Sequence, residues 1–322
     1  MSSMTAPPQS KSSYTDSPAA ESALALDARS LSTWSVARAA DFLELTKPRI
    51  AVMVLVTVAV GYTLGGQGTW QLAILLPTLI GVALVASGSS ALNQYLERFT
   101  DAKMPRTADR PLPSGRLTPS DVLKFGVLCG VTGTVWLAVT VNLLTALLTL
   151  GTFVMYVGLY TPLKKRSSIC TAVGAVPGAL PPVLGWAAAR GTLDAGAFAL
   201  FAVLFLWQFP HFLAIAWMYR EQYERAGLKM LPQSRSPRVV SLMAVTYAIV
   251  LIPASLLPHA TGLAGDWYAI AAMILGGAYL ASTVHFTWNE CRTTARGVLF
   301  TSLIYLPALL LVLTFDHFRL LM

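Results

Sequence analysis

Three oxygen-bearing side chains recur at intervals of four residues in the polar segment 92–121. They are Asn93, Glu97 and Asp101. On an α-helix this spacing places all three along one face, with each step rising about 6 Å. Carboxylate and amide oxygens are ligands that Mg²⁺ accepts, and Mg²⁺ usually completes its shell with waters and substrate phosphates. The spacing therefore predicts a helix face that could hold a magnesium ion.

Several cations lie in the same segment, and Arg is the side chain best shaped to hold phosphate oxygens through two parallel hydrogen bonds. These cations are Arg98, Lys103, Arg106 and Arg110. Together with the magnesium face they indicate a diphosphate–metal site. The alternative is a solvated loop in which acids and bases balance one another, and spacing alone leaves both open. Four of the protein's 15 acidic residues lie here, however, at the end of an apolar run where charge is costly.

A second polar connection, 219–238, contains Glu221 and Glu224, the only acidic residues between Asp194 and Asp266. It follows an apolar run in which His211 would lie at membrane depth. An imidazole can ligate iron, but an interhelical hydrogen bond is an equally ordinary use of an intramembrane histidine. The residues leave both roles open.

Another apolar run ends in Tyr160, followed closely by Lys164, Lys165 and Arg166. A phenol and cations could donate to phosphate oxygens. They are also the usual anchors at a membrane surface, where Tyr sits at the interface and Lys and Arg stay on the cytoplasmic side. From the residues alone, the anchor is the favoured interpretation.

The composition excludes a water-soluble globular enzyme. Of 322 residues, 55% are hydrophobic and only 12% are charged, with a mean hydropathy of +0.61. The net charge of +8 does not indicate nucleic-acid binding, because the basic residues punctuate long apolar runs, as in multi-pass membrane proteins. Cys129, Cys170 and Cys291 are odd in number and widely spaced, so neither a disulfide framework nor a zinc cluster is expected.

Nine apolar runs are long enough to cross a bilayer, which takes about 20 residues. The runs are 48–66, 71–93, 121–140, 143–161, 169–188, 195–218, 239–258, 266–286 and 297–315. Only Val141 and Asn142 separate the third run from the fourth, which predicts a tight helical hairpin. The predicted fold is therefore all-α, a multi-pass bundle of nine transmembrane helices.

Lys and Arg are concentrated before the first run and in the connections after runs two, four, six and eight. By the positive-inside rule these segments are cytoplasmic, which predicts an inner-membrane protein with a cytoplasmic N-terminus and an external C-terminus. Residues 1–40 are rich in Ser, Ala and Pro and are expected to form a mobile tail without chemistry. Residues 41–322 are expected to form a single transmembrane domain.

A longer motif surrounds the predicted magnesium face. It reads Asn-x3-Asp/Glu-x3-Asp-x2-Met-x-Arg-Thr-x2-Arg-Pro-Leu and is present as Asn93, Glu97, Asp101, Met104, Arg106, Thr107, Arg110, Pro111 and Leu112. Further matching stretches are Thr46–Arg49, Tyr160–Lys164, Gly178–Pro182 with Gly185 and Trp186, Pro210–Phe212, and Tyr223 with Ala226, Gly227, Met230 and Leu231. With these motifs, nearly all of 45–316 resembles the protoheme IX farnesyltransferases, or haem o synthases, a branch of the UbiA prenyltransferase superfamily.

This resemblance implies a nine-helix bundle around a lipid-accessible cavity, with two acidic motifs holding Mg²⁺ and an isoprenyl diphosphate. It implies transfer of a farnesyl group from farnesyl diphosphate to a vinyl group of protohaem IX, with addition of water and release of diphosphate, giving haem o. One departure concerns the second motif, where Gln222 stands at a position that is typically aspartate, so that Glu221 and Glu224 are the nearby carboxylates.

The resemblance also assigns roles to individual residues. Magnesium would be held by Asn93, Glu97, Asp101 and Glu221, while Arg106, Arg110, Tyr160 and Lys164 would stabilise the leaving diphosphate. Substrate contacts would come from Lys165, Trp207, His211, Glu221 and Tyr223. Membrane lipid and a haem-handling or cytochrome-oxidase assembly protein are the expected partners, and nucleic acid is not.

Two other functions are weighed beside this one. A UbiA-type prenyltransferase acting on an aromatic acceptor would need the same metal site without the Pro210–Phe212 and Tyr223–Leu231 patterns. A haem or lipid transporter could use a polar cavity at midmembrane but has no use for a magnesium–diphosphate face.

Overall fold

The computed structural model describes residues 36–231 and 238–322, and in these two ranges every regular element is helical. The helices are α1 (36–45), α2 (Pro48–Gly65), α3 (Leu72–Asp101), α4 (Pro119–Thr140), α5 (Leu143–Val154), a π-helical turn (Met155–Tyr160), α6 (Thr161–Leu163), α7 (Cys170–Ala179), α8 (Pro181–Arg190), α9 (Ala195–Met218), α10 (Arg220–Arg225), α11 (Arg238–Ser255), α12 (Leu257–Ala260), α13 (Asp266–Trp288) and α14 (Arg292–Leu321).

Nine helical stretches of the described ranges are long and apolar enough to cross a membrane, which confirms the predicted all-α, nine-helix fold. The fourth comprises α5, the π-helical turn and α6, the fifth α7 and α8, and the seventh α11 and α12. The largest differences from the predicted runs are at α3 and α14. Both helices continue into charged sequence, which hydropathy alone assigns to a connection.

Local sequence accounts for several helix ends. Thr118 caps α4 by accepting from the Asp121 N–H at 3.2 Å, and Asn142 caps α5 by accepting from the Thr145 N–H at 2.8 Å. Since α4 ends at Thr140 and α5 begins at Leu143, the predicted helical hairpin is confirmed.

Small residues let neighbouring helices approach closely. A Cβ added at Gly61 of α2 would collide with the backbone of Pro182 on α8, and one added at Gly185 of α8 would collide with the backbone of Val58 on α2. In membranes helix association depends on such close packing. The larger packing pairs are α3 with α4, α2 with α8, α9 with α11, and α13 with α14.

Helix α1 lies against the connection that follows α3. The guanidinium of Arg116 makes ion pairs with Asp41 and, at 2.8 Å, with Glu44, and Arg38 pairs with Asp121 at 2.7 Å. Residues 36–40, assigned to the tail by sequence, are thus part of a helix that contacts the bundle. The rest of the predicted tail, 1–35, lies outside the described residues.

The outer face of the bundle is apolar. Val139, Ile274 and Leu311 are each more than 60% exposed, although they lie within membrane-length helices. Apolar side chains on the outside and polar ones inside are typical of helices packed in lipid. Several of the buried polar side chains, among them Asn93, Glu97 and Asp101, line one cavity.

Candidate active site

The predicted magnesium face lies on the last three turns of α3. Asn93, Glu97 and Asp101 are each at most 7% exposed, and all three line a cavity of about 500 Å³. Because α3 continues unbroken to Asp101, the four-residue spacing brings the side chains onto one wall of the cavity, as the sequence predicts. Their role as metal ligands remains a prediction.

Each of these three side chains contacts a cation from another segment of the chain. The three pairs are Arg110 Nη1 with Asp101 Oδ2 at 2.7 Å, Lys164 Nζ with Glu97 Oε1 at 2.7 Å, and Lys47 Nζ with Asn93 Oδ1 at 3.4 Å. Buried carboxylates require such partners, because an unpaired charge in an apolar interior is costly. One end of the cavity therefore contains two ion pairs and a lysine–amide hydrogen bond.

The two lysines differ in how their surroundings act on the ammonium group. The pKa of Lys47 falls to about 8, because burial disfavours the charged form and the positive charges of Arg110 and Lys164 lower it further. Burial acts in the same direction on Lys164, but the oxygens of Tyr160 and Glu97 outweigh it and raise the pKa of Lys164. The net effect of the surroundings is thus opposite, with the pKa lowered at Lys47 and raised at Lys164.

The π-helical turn Met155–Tyr160 positions the cationic end of the fourth span. The carbonyl of Tyr156 accepts from both the backbone N–H and the hydroxyl of Thr161, the latter at 2.8 Å. The Thr161 hydroxyl also accepts from Asn93 Nδ2 at 3.1 Å, which ties this turn to α3. Beyond the turn, the ammonium of Lys164 lies 4.5 Å from the centre of the Tyr160 ring.

Lys47 reaches the cavity from the junction between α1 and α2. Its backbone is left-handed, with φ 51° and ψ 64°, a conformation that costs a non-glycine residue about 1–2 kcal/mol. Pro48 begins α2 directly after it, and Gln94 Nε2 donates to the carbonyl of Leu45 at 3.1 Å. These contacts hold the strained residue so that its side chain turns toward α3.

Arg106 and Tyr223 close the polar end. Both line the cavity, and Arg106 Nη2 donates to the Tyr223 hydroxyl at 3.4 Å. The guanidinium of Arg106 also lies over the ring of Tyr219, 4.8 Å from its centre. The loop that carries Arg106 is held to α3 by the Thr107 hydroxyl, which donates to the Asp101 carbonyl at 2.8 Å.

The remaining walls of the cavity are mainly apolar. They come from α2, α3, α7, α8 and α9 and include Val54, Val82, Val85, Pro177, Leu184, Phe212 and Leu213. A cavity with a charged end and an apolar body is complementary to a ligand that has an anionic head group on a hydrocarbon chain.

The seven predicted catalytic residues all line this cavity, as does Tyr223. They are Asn93, Glu97, Asp101, Arg106, Arg110, Tyr160 and Lys164. Lys165 and Glu221 do not: Lys165 is exposed, and the Glu221 side chain is 70% exposed, 4.0 Å from Arg220 and from Arg225. Their predicted roles in substrate and metal binding therefore remain predictions.

His211 and Trp207 lie between α9 and α14 and are also absent from the cavity wall. His211 Nδ1 is 2.7 Å from the Ser302 hydroxyl, and Trp207 Nε1 donates to the Ser302 carbonyl at 2.9 Å. This is the interhelical hydrogen bond that the sequence allowed as an alternative to a ligand role. The ring of His211 nevertheless packs on Phe212, which does line the cavity, with 5.4 Å between ring centres.

Sequence reasoning missed three polar residues that line or support the site: Lys47, Tyr156 and Thr161. Lys47 and Thr161 both fall in stretches that carry the family resemblance, which was the available signal for them. Tyr156 lies inside an apolar run, within the π-helical turn, and its place in the cavity wall had no signal in the sequence.

Within 36–231 and 238–322, no cluster of three or more His, Cys, Asp or Glu side chains could hold a metal by itself. The donor set in the cavity is instead two carboxylates and one amide. Such a set fits Mg²⁺, which takes one or two protein carboxylates and leaves the rest of its shell to waters and phosphate oxygens. It does not fit zinc, which favours His and Cys.

The chain is similar to known proteins over most of its length. A family model described as the UbiA prenyltransferase family matches residues 54–305. A protein of Solibacter usitatus named protoheme IX farnesyltransferase is 47% identical over 287 residues, which cover 86% of this chain and 98% of the relative. A protein of the same name from Myxococcus xanthus is 44% identical, covering 87% of this chain and 95% of the relative.

Solved structures show the same fold at low sequence identity. A digeranylgeranylglyceryl phosphate synthase has a TM-score of 0.73 at 17% identity, over 88% of this chain and 99% of that one. A UbiA homologue from Archaeoglobus fulgidus, bound to DMAPP and Mg²⁺, has a TM-score of 0.59 at 18% identity, over 84% and 99%. The family match across most of the chain and the high identity to full-length relatives lead to one conclusion: this chain is a member of the UbiA prenyltransferase family.

Proposed function

We propose that the protein transfers a farnesyl group from farnesyl diphosphate to a vinyl group of protohaem IX, with addition of water and release of diphosphate, to give haem o. The observation that carries the proposal is the cavity, in which a charged end built on Asn93, Glu97 and Asp101 opens into an apolar body. The relatives named protoheme IX farnesyltransferase, at 41–47% identity over most of the chain, support the choice of substrates.

The difficult step is cleavage of the allylic carbon–oxygen bond, which leaves a farnesyl cation beside a departing diphosphate. Mg²⁺ held by Asn93, Glu97 and Asp101 would supply Lewis-acid charge to the leaving group, as Mg²⁺ accompanies DMAPP in the Archaeoglobus fulgidus homologue. Glu221 is the predicted second metal contact, and for Glu221 to reach this ion α10 would have to move toward the cavity.

The cations of the site stabilise the diphosphate as its charge grows. Arg106 and Arg110 reach the charged end from the loop after α3 and Lys164 from the end of the fourth span, and all three donate to phosphate oxygens. Tyr160 adds a hydroxyl beside Lys164. Preorganised donors of this kind usually make the largest single contribution to such a reaction.

The apolar body serves the farnesyl chain and protects the cation. Burying the chain contributes about 0.8 kcal/mol for each CH₂ removed from water, so side chains such as Val82, Val85 and Leu184 are sufficient to bind it. The same walls keep water away from the allylic cation until the vinyl carbon has attacked it. Water then adds to the cation that forms on the former vinyl group and loses a proton, which leaves a hydroxyl group on that carbon.

For the acceptor, the proposal retains His211 and Trp207, whose rings stack 5.2 Å apart next to Phe212. Contact of either ring with the porphyrin requires Phe212 to turn aside. A haem-handling or cytochrome-oxidase assembly protein would receive the product.

The proposed location is the inner membrane, with the N-terminus and the charged end of the cavity on the cytoplasmic side and the C-terminus outside. The support is the concentration of Lys and Arg in the segments around that end. Labelling of single cysteines placed in 94–120 with an impermeant reagent tests it, and reaction from outside intact cells would contradict it.

The experiment that tests the function incubates the purified protein with protohaem IX, farnesyl diphosphate and Mg²⁺. We expect a pigment whose mass exceeds that of protohaem IX by a farnesyl group and a hydroxyl group, with release of one equivalent of diphosphate. A farnesylated aromatic acceptor with unreacted haem would favour another UbiA activity, and haem movement without diphosphate release would favour a transporter.

A further inference from the structure

A second, smaller pocket lies beside the cavity. It has a volume of about 280 Å³ and lies between the loop after α3, the last turn of α9 and the first turns of α14. Its lining residues are Arg106, Ile215, Met218, Tyr219, Arg292, Arg296, Leu299 and Phe300. Three of these eight side chains are cationic, and none is acidic.

The three arginines of this pocket are exposed, and among the described residues no acidic side chain lines it. In the described part of the chain, the side chains of Arg292 and Arg296 make no ion pair and no hydrogen bond, although they lie one helical turn apart on α14. Arg106 contacts the aromatic side chains of Tyr219 and Tyr223. Three arginines that line one pocket without a carboxylate can bind an anion, because Arg binds carboxylates and phosphates through paired hydrogen bonds.

The pocket adjoins the active-site cavity. Arg106 and Ile215 line both spaces, so the two spaces share part of their walls. Arg106 is held at this boundary by its contacts with the two tyrosines of the α9–α10 junction. A single large ligand could therefore have an anionic edge in the pocket and its reacting edge in the cavity.

We propose that this pocket binds the two propionate carboxylates of the acceptor, an inference that rests on the farnesyl transfer proposed above. On protohaem IX the propionates occupy one edge of the porphyrin, and the vinyl groups occupy the other. With the carboxylates on Arg292 and Arg296, the vinyl edge points past Arg106 into the cavity. The pocket then selects a dicarboxylate acceptor and sets which edge of it reaches the donor.

The first test changes the two arginines that lie outside the diphosphate site. Arg292→Gln and Arg296→Gln should each raise KM for protohaem IX roughly tenfold, the size expected for loss of one charge-assisted hydrogen bond, while kcat and KM for farnesyl diphosphate stay unchanged. Arg225→Gln, at an exposed arginine that lines neither space, is the matched control. Lysine at either position should restore part of the affinity.

The second test changes the ligand. Absorbance titration of protohaem IX and of its dimethyl ester, without donor, gives Kd for each protein. Wild-type protein should bind the ester about 100-fold more weakly, since two charge-assisted contacts are lost. The Arg292→Gln/Arg296→Gln double variant should bind both ligands equally, because esterification then removes nothing further.

An ester penalty that is the same in wild-type protein and double variant would overturn the proposal. A rise in KM for farnesyl diphosphate alone would also overturn it, because that result would assign the pocket to diphosphate. Variants that changed only in their dependence on anionic lipid in vesicles would assign the pocket to lipid headgroups and would overturn the proposal as well. Failure of the proposed function is a separate result: wild-type protein would give no farnesylated pigment, while the titrations would still report on the pocket.

Discussion

Glu97 and Glu221 are acidic residues near the ends of two similar apolar helices, but they have opposite environments. The Glu97 side chain is 9% exposed and lies 2.7 Å from Lys164, whereas the Glu221 side chain is 70% exposed and 4.0 Å from its nearest cations. The cause is the path of the backbone. Helix α3 continues through its acidic motif, while α9 ends at Met218 and α10 begins in a new direction after Tyr219. Charge density along the chain does not distinguish a buried site from a solvated turn.

The largest expected loss of activity follows from removing the charge of the buried carboxylates Glu97 and Asp101. Asp101→Asn and Glu97→Gln should each lower kcat by about 10²–10³-fold, because the leaving diphosphate loses preorganised stabilisation. Chelation of Mg²⁺ should abolish turnover of the wild-type protein. Single-turnover formation of the farnesylated pigment measures both effects, and normal membrane insertion is the control. Full activity in either variant would mean that this face of α3 is only a helix end.

A smaller loss of activity is expected from replacing Lys164, and its neighbour Lys165 should differ from it. Lys164→Met removes the partner of Glu97 and one phosphate donor, so we expect kcat/KM for farnesyl diphosphate to fall about 100-fold. Lys165→Met, at an exposed neighbour outside the cavity, should change it less than about twofold, as surface substitutions usually do. Equal losses would show that Lys165 also contacts the diphosphate, as the resemblance implies.

Glu221→Gln tests whether the exposed glutamate contributes to activity. We expect kcat to change less than about threefold and the Mg²⁺ concentration for half-maximal activity to stay the same, because an exposed carboxylate contributes little. Glu97→Gln should raise that concentration. If Glu221→Gln raised it equally, α10 would have to move inward in the working enzyme, and the contrast between the two glutamates would hold only in the absence of ligand.

The smallest effects concern the α9–α14 contact. Ser302→Ala should lower the free energy of unfolding by about 0.6 kcal/mol, the average for a hydrogen bond between membrane helices, without changing haem binding. His211→Ala should cost a similar amount and also weaken haem binding and alter the haem absorption spectrum. An unchanged spectrum and affinity in His211→Ala would leave the imidazole with only its interhelical role.

The sequence predicts the parts of this structure that depend on local periodicity. Hydropathy predicts the nine membrane-length helices, and the four-residue spacing predicts the shared face of Asn93, Glu97 and Asp101. It does not predict which cation meets which anion, because those partners are 9 to 67 residues apart and their pairing depends on tertiary packing. The exposure of Glu221 depends in the same way on a change of backbone direction at one residue.

The π-helical turn Met155–Tyr160 sets an angle as well as a contact. One residue of an α-helix corresponds to about 100° of rotation around the axis. The wide turn holds one residue more than an α-helical turn, because its hydrogen bond runs from the Thr161 N–H to the Tyr156 carbonyl. If the same residues were wound as regular α-helix, everything after them would be rotated by about 100°, and Lys164 would face a different neighbour than Glu97. The wide turn thus acts as an angular spacer that absorbs one residue, and the pairing of Lys164 with Glu97 depends on it as well as on side-chain identity.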